Sequence, residues 1–280
     1  MDIEIRNGLA EARALAVEHS GALTAYVALG VVVPYLLLSS EPIFDLRTVI
    51  ALIASPYSSH ISGSIAGPLY LLGIVVVIAA GAMLAAWNAI LPEMREGYVS
   101  EIMYGMVAGV AFLIGNIIVY FGLGLLATLP LFLFAQNMLL GGAGPAFAIA
   151  IESYRILLSL LATWLGARLC LTGAIMGANG KLEPFSAFAE SWRLTGAAQW
   201  RLFAFYFLFG LIVAAAFGGL VLLHAAVIWD NAQAPGSWLE TAMSFGWILL
   251  FALYFLGQIL IPAGLYRASE PETTASEVFA

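Results

Sequence analysis

Charged side chains are scarce in this sequence. Only 10% of its 280 residues are charged, whereas 62% are hydrophobic; ordinary soluble domains carry about 25% and about 45–50%. The apolar residues form stretches of about 20 or more, the length at which a helix crosses roughly 30 Å of hydrocarbon. The alternating segments of an outer-membrane barrel are absent. The sequence therefore predicts an all-α integral membrane protein.

Cysteine, histidine and basic residues are also few. The single cysteine, Cys170, allows no disulfide within the chain. The three histidines follow no metal-ligand spacing, so we expect no metal site. The formal net charge of −7 argues against a nucleic-acid partner. No motif of a nucleophile, a phosphate-binding loop or paired catalytic carboxylates occurs, so we expect neither an enzyme nor a bound cofactor.

Six stretches are long and apolar enough to be transmembrane helices. They cover residues 21–38, 67–91, 102–127, 154–176, 202–228 and 238–265. The apolar segment 130–144 is too short to span, which favours a separate element in the far interface. We expect amphipathic helices on the cytoplasmic side over residues 1–19 and from Pro184 onward. Residues 1–266 would form one polytopic domain, followed by a mobile acidic tail over 267–280.

The basic residues predict the orientation. Six spans place the N- and C-termini on one side of the membrane. That side receives Arg6, Arg13, Arg95, Lys181, Arg193, Arg201 and Arg267. The outer connections receive only Arg47 and Arg155. By the positive-inside rule, we expect both termini to be cytoplasmic.

Each third of the chain has the same arrangement: an inner polar or amphipathic segment, an outgoing span, an outer connection and a returning span. These thirds cover about 1–92, 93–180 and 181–266. Two returning spans carry an amide four residues before a proline, at Asn88 and Gln258. Three parallel internal repeats, related by an axis along the membrane normal, are therefore a hypothesis. Chance similarity between helices rich in Leu, Ala and Gly is its alternative.

Small residues recur at four-residue spacing in several spans. The stripes are Gly105/Gly109, Gly173/Gly177 and Gly210/Ala214/Gly218. Such stripes let helix backbones approach closely. We expect these contacts within one protomer, and contacts between protomers are the alternative.

The most distinctive stretch covers residues 164–203 and reads WLGARLCLTGAIMGANGKLEPFSAFAESWRLTGAAQWRLF. It resembles a bacterial family that includes YciC-type inner-membrane proteins and the membrane domains preceding some glycerophosphodiester phosphodiesterases. The matching residues are Ser191, Trp192, Leu194, Thr195, Gly196, Trp200 and Arg201. Gly173 stands where that family usually has proline. The resemblance implies a six-helix protein of the bacterial inner membrane, and it does not carry over the phosphodiesterase activity, since no such domain follows.

Arg168 is the only basic residue in the interior of an apolar span, since Arg155 lies at the outer end of its span. A charge at membrane depth is by default a functional candidate. Arg168 lies, however, within about three turns of the inner end and its side chain can snorkel. The favoured interpretation is structural, with Arg168 paired to Glu101, to Glu190 or to a lipid headgroup. A substrate-binding role is the alternative.

Two Trp-Arg pairs follow this span, Trp192/Arg193 and Trp200/Arg201. Indole rings favour the headgroup level of a membrane, and guanidinium groups bind phosphate. The four residues are therefore candidate contacts to lipid or to a partner. Anchoring of the next span is the plain explanation, and headgroup recognition is the more specific one.

Three amide side chains lie inside spans, at Asn88, Asn116 and Gln258. They are candidates either for hydrogen bonds between helices or for the lining of a cavity. Two functions correspond to these alternatives. The favoured hypothesis is a non-catalytic, lipid-binding scaffold or assembly partner, which contacts lipids, other membrane proteins or itself. The alternative is a transporter or channel for a small or lipid-like solute, with Arg168, Asn88 and Gln258 converging in the interior.

Overall fold

The computed structural model describes residues 4–40, 66–92, 97–139, 145–230 and 238–269. Within these ranges the regular structure is α-helical, with one π-helical stretch, Ala28–Val32, inside α2. The helices are α1 (Ile5–Glu18), α2 (Ser20–Ser39), α3 (Ala66–Ile90), α4 (Tyr98–Leu139), α5 (Pro145–Leu169), α6 (Thr172–Asn179), α7 (Pro184–Leu194), α8 (Gln199–Asp230) and α9 (Trp238–Arg267).

Six helical stretches in these ranges are long and apolar enough to cross a membrane, which confirms the predicted all-α, membrane-like fold class. They are Ser20–Ser39, Pro68–Ile90, Tyr98–Leu125, Glu152–Asn179, Gln199–Ala226 and Thr241–Arg267. Each overlaps one of the predicted spans, because only a helix satisfies the backbone of a single apolar segment in lipid. The predicted tail from residue 270 onward lies outside the described residues.

The third span continues further than predicted. Helix α4 contains 42 residues and runs through Pro130 to Leu139. The prediction of a separate element over 130–144 is therefore wrong for residues 130–139, which continue the third helix. Residues 140–144 lie outside the described ranges. The segment after Pro130 is rich in Leu and Phe, and a proline is tolerated in a membrane helix. At 1.5 Å per residue, α4 is about 63 Å long, roughly twice the hydrocarbon thickness.

Helices α3 and α4 touch backbone to backbone. A Cβ atom at Gly105 would overlap the Gly81 carbonyl oxygen, and one at Gly109 would lie 2.7 Å from the Gly81 nitrogen. Glycine is required for this approach because any side chain would collide with the opposite backbone. The contact lies within one protomer, as predicted. The stripe at Gly210 and Gly218 differs, since a Cβ there would meet no described atom within 4 Å.

The first helix packs on the end of the last one. A Cβ atom at Gly264 in α9 would overlap the Gly8 carbonyl oxygen in α1. Arg267, the last residue of α9, pairs with Glu11 at 3.4 Å and with Glu18 at 3.7 Å. Helix α1 and the C-terminal end of α9 therefore lie at the same end of the bundle.

Gly105→Val is expected to destabilise the α3–α4 contact. The added side chain would have to displace the backbone of Gly81 or Ala85, and such overpacking typically costs about 1–3 kcal/mol. Thermal unfolding in detergent should show a melting temperature several degrees below that of the wild type. Gly122→Val in the same helix is the matched control, because a Cβ there meets no described atom within 4 Å. Equal melting temperatures for the two variants would contradict the close contact.

Candidate functional site

The fourth span is interrupted at residues 170–171, between α5 and α6, one residue after Arg168. The Arg168 carbonyl accepts hydrogen bonds from the Ser191 hydroxyl at 2.9 Å and from the Thr195 hydroxyl at 3.0 Å. The Ser191 oxygen also accepts the Leu171 N–H at 3.3 Å. Hydroxyl groups at the end of α7 thus replace backbone hydrogen bonds that the interruption removes.

Helix α7 has clear start signals in the sequence. Gly180 ends α6 in the left-handed conformation, with φ of 60°, and Pro184 is the first residue of α7. The Glu183 carboxylate accepts the N–H groups of Phe185 at 2.8 Å and Ser186 at 2.9 Å. Hydrogen bonds from the side chain and backbone of Ser186 lower the pKa of Glu183. The cap therefore stabilises α7 fully at neutral pH and weakens as the pH falls through that lowered pKa.

The side chain of Arg168 extends from α5 and lies against the Trp192 ring of α7. The residue is 5% exposed, and its guanidinium carbon lies 4.2 Å from the centre of the Trp192 ring. Trp164, one turn earlier in α5, contacts the same indole edge-on, with ring centroids 5.5 Å apart. Gly196 lies beside the guanidinium, because a Cβ at that position would stand 3.5 Å from Arg168 Nη1.

The ion pairs predicted for Arg168 do not form. Glu101, fully buried at the start of α4, accepts a hydrogen bond from the Tyr26 hydroxyl. Glu190 pairs with Lys181 at 3.6 Å. In the described part of the chain, Arg168 Nε and Nη1 are buried without a hydrogen-bond partner. Both predicted carboxylates thus have partners that the sequence pattern did not reveal.

The contact with Trp192 does not offset the cost of burying Arg168. A cation–π contact contributes about 0.5–2 kcal/mol, whereas burial of an ion costs several kcal/mol. Trp164 Nε1 and Thr172 Oγ1, each four residues from Arg168, are also buried without a partner among the described residues. An unsatisfied buried group costs about 1–3 kcal/mol. Arg168 and Trp164, which both lie beside Trp192, therefore present a positive charge and a further donor that lack an acceptor among the described residues.

Another side of α5 lines a cavity of about 410 Å³, within the usual size range of ligand pockets. Five of the six spans contribute to its walls, and Arg168 is not among the lining residues. The walls are mostly apolar and aromatic. Their polar groups are all uncharged: Asn116, Tyr120, Thr163, Cys170, Tyr206, Tyr254 and Gln258. The cavity therefore suits a neutral, largely apolar molecule.

The three predicted amides separate in the structure. Asn116 and Gln258 line the cavity, and Asn116 also donates to the Phe112 carbonyl of its own helix at 2.8 Å. Asn88 does not line this cavity. It donates instead to the Gly177 carbonyl at 3.1 Å and so joins α3 to α6. The convergence of Arg168, Asn88 and Gln258 predicted by the transport hypothesis is not present.

The two Trp-Arg pairs lie on the outside of α7 and the first turn of α8. Trp192 is 41% exposed and Trp200 is 68% exposed. Arg193 and Arg201 are exposed as well. Only Trp192 also contacts Arg168. This exposed group, Trp192, Arg193, Trp200 and Arg201, is called the Trp-Arg surface below.

Sequence reasoning missed Trp164 as a member of the site. It lies four residues before Arg168 in the same helix, so helical spacing places the two residues on one face. That spacing was the available signal. The contact between Arg168 and Trp192 carried no such signal, because the two residues belong to different helices.

These features define a class: an all-α, membrane-like protein with six candidate spans in its described ranges and a buried arginine beneath a short amphipathic helix. Comparisons with protein-family models, curated proteins and solved structures found no match. The resemblance to the YciC-type family therefore stays a prediction based on residues 164–203.

The double variant Ser191→Ala/Thr195→Val should lower the melting temperature by several degrees. It leaves the Arg168 carbonyl without either hydroxyl donor, and an unsatisfied buried carbonyl costs about 1–3 kcal/mol. Ser159→Ala is the matched control, since the Ser159 hydroxyl is exposed and bonds within its own helix at 2.9 Å. Thermal unfolding monitored by tryptophan fluorescence checks this expectation. If the double variant and the control have the same melting temperature, the two hydroxyl groups do not hold α7 in place.

Proposed function

We propose that this protein is a non-catalytic, lipid-binding scaffold or assembly partner in a membrane. The observation that carries the proposal is the position of Arg168. Its guanidinium lies against Trp192 of α7 and away from the cavity. A transport site would place this charge among the polar groups of the interior. A charge beneath a surface helix instead suits an interaction with lipid headgroups.

The Trp-Arg surface supports the same function. Exposed indole rings beside exposed guanidinium groups match the chemistry of the membrane interface, where apolar carbon meets phosphate. Helix α8 offers a second surface, because none of the residues in its most apolar stretch is buried. This surface would be covered by lipids, by a helix from another membrane protein, or by a second copy of the chain.

The distribution of basic residues supports a place in the bacterial cytoplasmic membrane with both termini inside. The end of the bundle formed by α1, α7 and the C-terminus of α9 carries most of the described basic residues: Arg6, Arg13, Lys181, Arg193, Arg201 and Arg267. At the opposite end, the described ranges contain Arg155. This asymmetry follows the positive-inside rule.

Fusion proteins check this orientation. A green fluorescent protein fused after residue 280 should fluoresce in a bacterial host, because it folds on the cytoplasmic side. Alkaline phosphatase fused at the same point should be inactive, because it requires export. Active phosphatase with no fluorescence would place the C-terminus outside and overturn the proposed orientation.

Lipid retention tests the proposed function. Wild-type protein extracted in mild detergent should keep bound phospholipid, detected by native mass spectrometry. The variant Trp192→Ala/Arg193→Gln/Trp200→Ala/Arg201→Gln should keep severalfold less, since it lacks the Trp-Arg surface. Arg155→Gln is the matched control, because this exposed arginine pairs with Glu152 at 2.9 Å at the other end of the bundle. The proposal fails if the wild type keeps no phospholipid or the quadruple variant keeps as much.

The second candidate function is a transporter or channel for a small or lipid-like solute. The observation that favours it is the cavity lined by five spans, with Asn116 and Gln258 in its wall. Reconstituted protein should then conduct a neutral lipophilic solute, and Gln258→Leu should reduce the flux. An absence of flux in wild-type vesicles, together with normal lipid retention, would favour the scaffold.

A further inference from the structure

The geometry points to a phosphate-binding site between α5 and α7, with the Arg168 guanidinium as its charged group. We propose that the phosphate belongs to a phospholipid headgroup. This inference rests on the proposed lipid-binding function and adds to it a defined site and ligand chemistry. The Trp-Arg surface, in contrast, is a general contact with the interface.

The first argument is the missing acceptor. Arg168 is 5% exposed, and its Nε and Nη1 have no hydrogen-bond partner among the described residues. The two carboxylates predicted as partners bond elsewhere, Glu101 to Tyr26 and Glu190 to Lys181. Two of the three guanidinium nitrogens are therefore buried without an acceptor, and neither a ring face nor a neutral group compensates a full charge.

The second argument is the chemistry of the donors. A guanidinium presents its N–H groups in a planar fork that fits two oxygens of one phosphate. The guanidinium carbon lies over the Trp192 ring, 4.2 Å from its centre. The indole of Trp164 contacts Trp192 and adds Nε1, another buried donor without a described partner. Nε and Nη1 of Arg168 each belong to a two-donor fork with Nη2, and a phosphate, with several acceptor oxygens, can accept from either fork.

The third argument is access. Position 196 is glycine, and a Cβ there would stand 3.5 Å from Arg168 Nη1. The space that a side chain would occupy therefore adjoins the guanidinium. Trp192, 41% exposed, forms the outer wall of this space. Because Nη1 itself is buried, a headgroup arriving at the α7 surface reaches it once the Trp192 side chain moves aside.

Arg168→Gln should remove the phosphate preference. Binding is measured by native mass spectrometry of detergent-purified protein titrated with three probes: phosphatidylglycerol, a diacylglycerol glycolipid without phosphate, and inorganic phosphate. We expect the wild type to bind phosphatidylglycerol more tightly than the glycolipid. Arg168→Gln should bind phosphatidylglycerol roughly tenfold or more weakly, because the charged partner is gone, and should bind the glycolipid as before. Arg155→Gln is the control and should match the wild type.

Gly196→Asp tests the site without removing Arg168. Its carboxylate would stand beside Nη1 and supply the missing acceptor within the chain, so phosphatidylglycerol binding should fall. The delipidated variant should also melt at a higher temperature than delipidated wild type. Gly196→Asn, equal in size and uncharged, fills the same space and is the matched control, so Gly196→Asp should bind phosphatidylglycerol more weakly than Gly196→Asn does. This pair remains informative even if Arg168→Gln does not fold.

The probes separate the sources of phosphate. Weaker binding of phosphatidylglycerol in both Arg168→Gln and Gly196→Asp, with no competition by inorganic phosphate, supports a headgroup site. Binding of inorganic phosphate alone, lost in the same variants, supports the phosphate chemistry but assigns it to free phosphate. Unchanged binding of every probe in both variants overturns the inference, while loss of lipid in the Trp-Arg surface variant would still support the lipid-binding function. If the wild type binds no lipid at all, that function fails too.

Discussion

The hydrogen bonds from Ser191 and Thr195 to the Arg168 carbonyl are the contact on which this site depends. In an apolar environment every buried backbone carbonyl needs a donor, so an interruption in a span must be covered by another segment. Helix α7 provides that cover with two hydroxyl groups. The same docking brings Trp192 over the guanidinium of Arg168. The packing of α7 on the fourth span therefore both covers the interruption and determines the environment of the Arg168 charge.

The fourth span separates two kinds of chemistry. One side carries Arg168 and meets α7, while another side lines a cavity whose polar groups are all uncharged. A helix presents residues four apart on one face and residues two apart on different faces. Charge and cavity can therefore lie at similar depth without sharing a site. This separation weighs against a charged transport pathway and supports lipid binding at the surface of α7.

Glycine contacts set the arrangement of the surrounding spans. Gly81 and Gly105 bring α3 against α4, and Gly8 and Gly264 bring α1 against α9. Gly173 and Gly177 accommodate Trp87, whose indole Nε1 donates to the Ile259 carbonyl at 2.9 Å. In lipid, helices gain little from hydrophobic burial against each other, so close packing and hydrogen bonds between helices hold the bundle. The four-residue glycine spacing predicted close contacts at Gly105 and at Gly173/Gly177. It did not show which helix lies against each of them.

The sequence by itself determined the fold class and the candidate spans, because length and apolarity leave a backbone in lipid only one way to bond within its own segment. It also marked Pro184 as the start of α7 and Arg168 as an unusual charge. Only the tertiary structure decided that Glu101 bonds to Tyr26, that Asn88 bonds to Gly177, and that Arg168 meets Trp192 instead of a carboxylate. Side-chain partners depend on which helices are neighbours and how each is rotated, and these follow from packing between segments far apart in the chain.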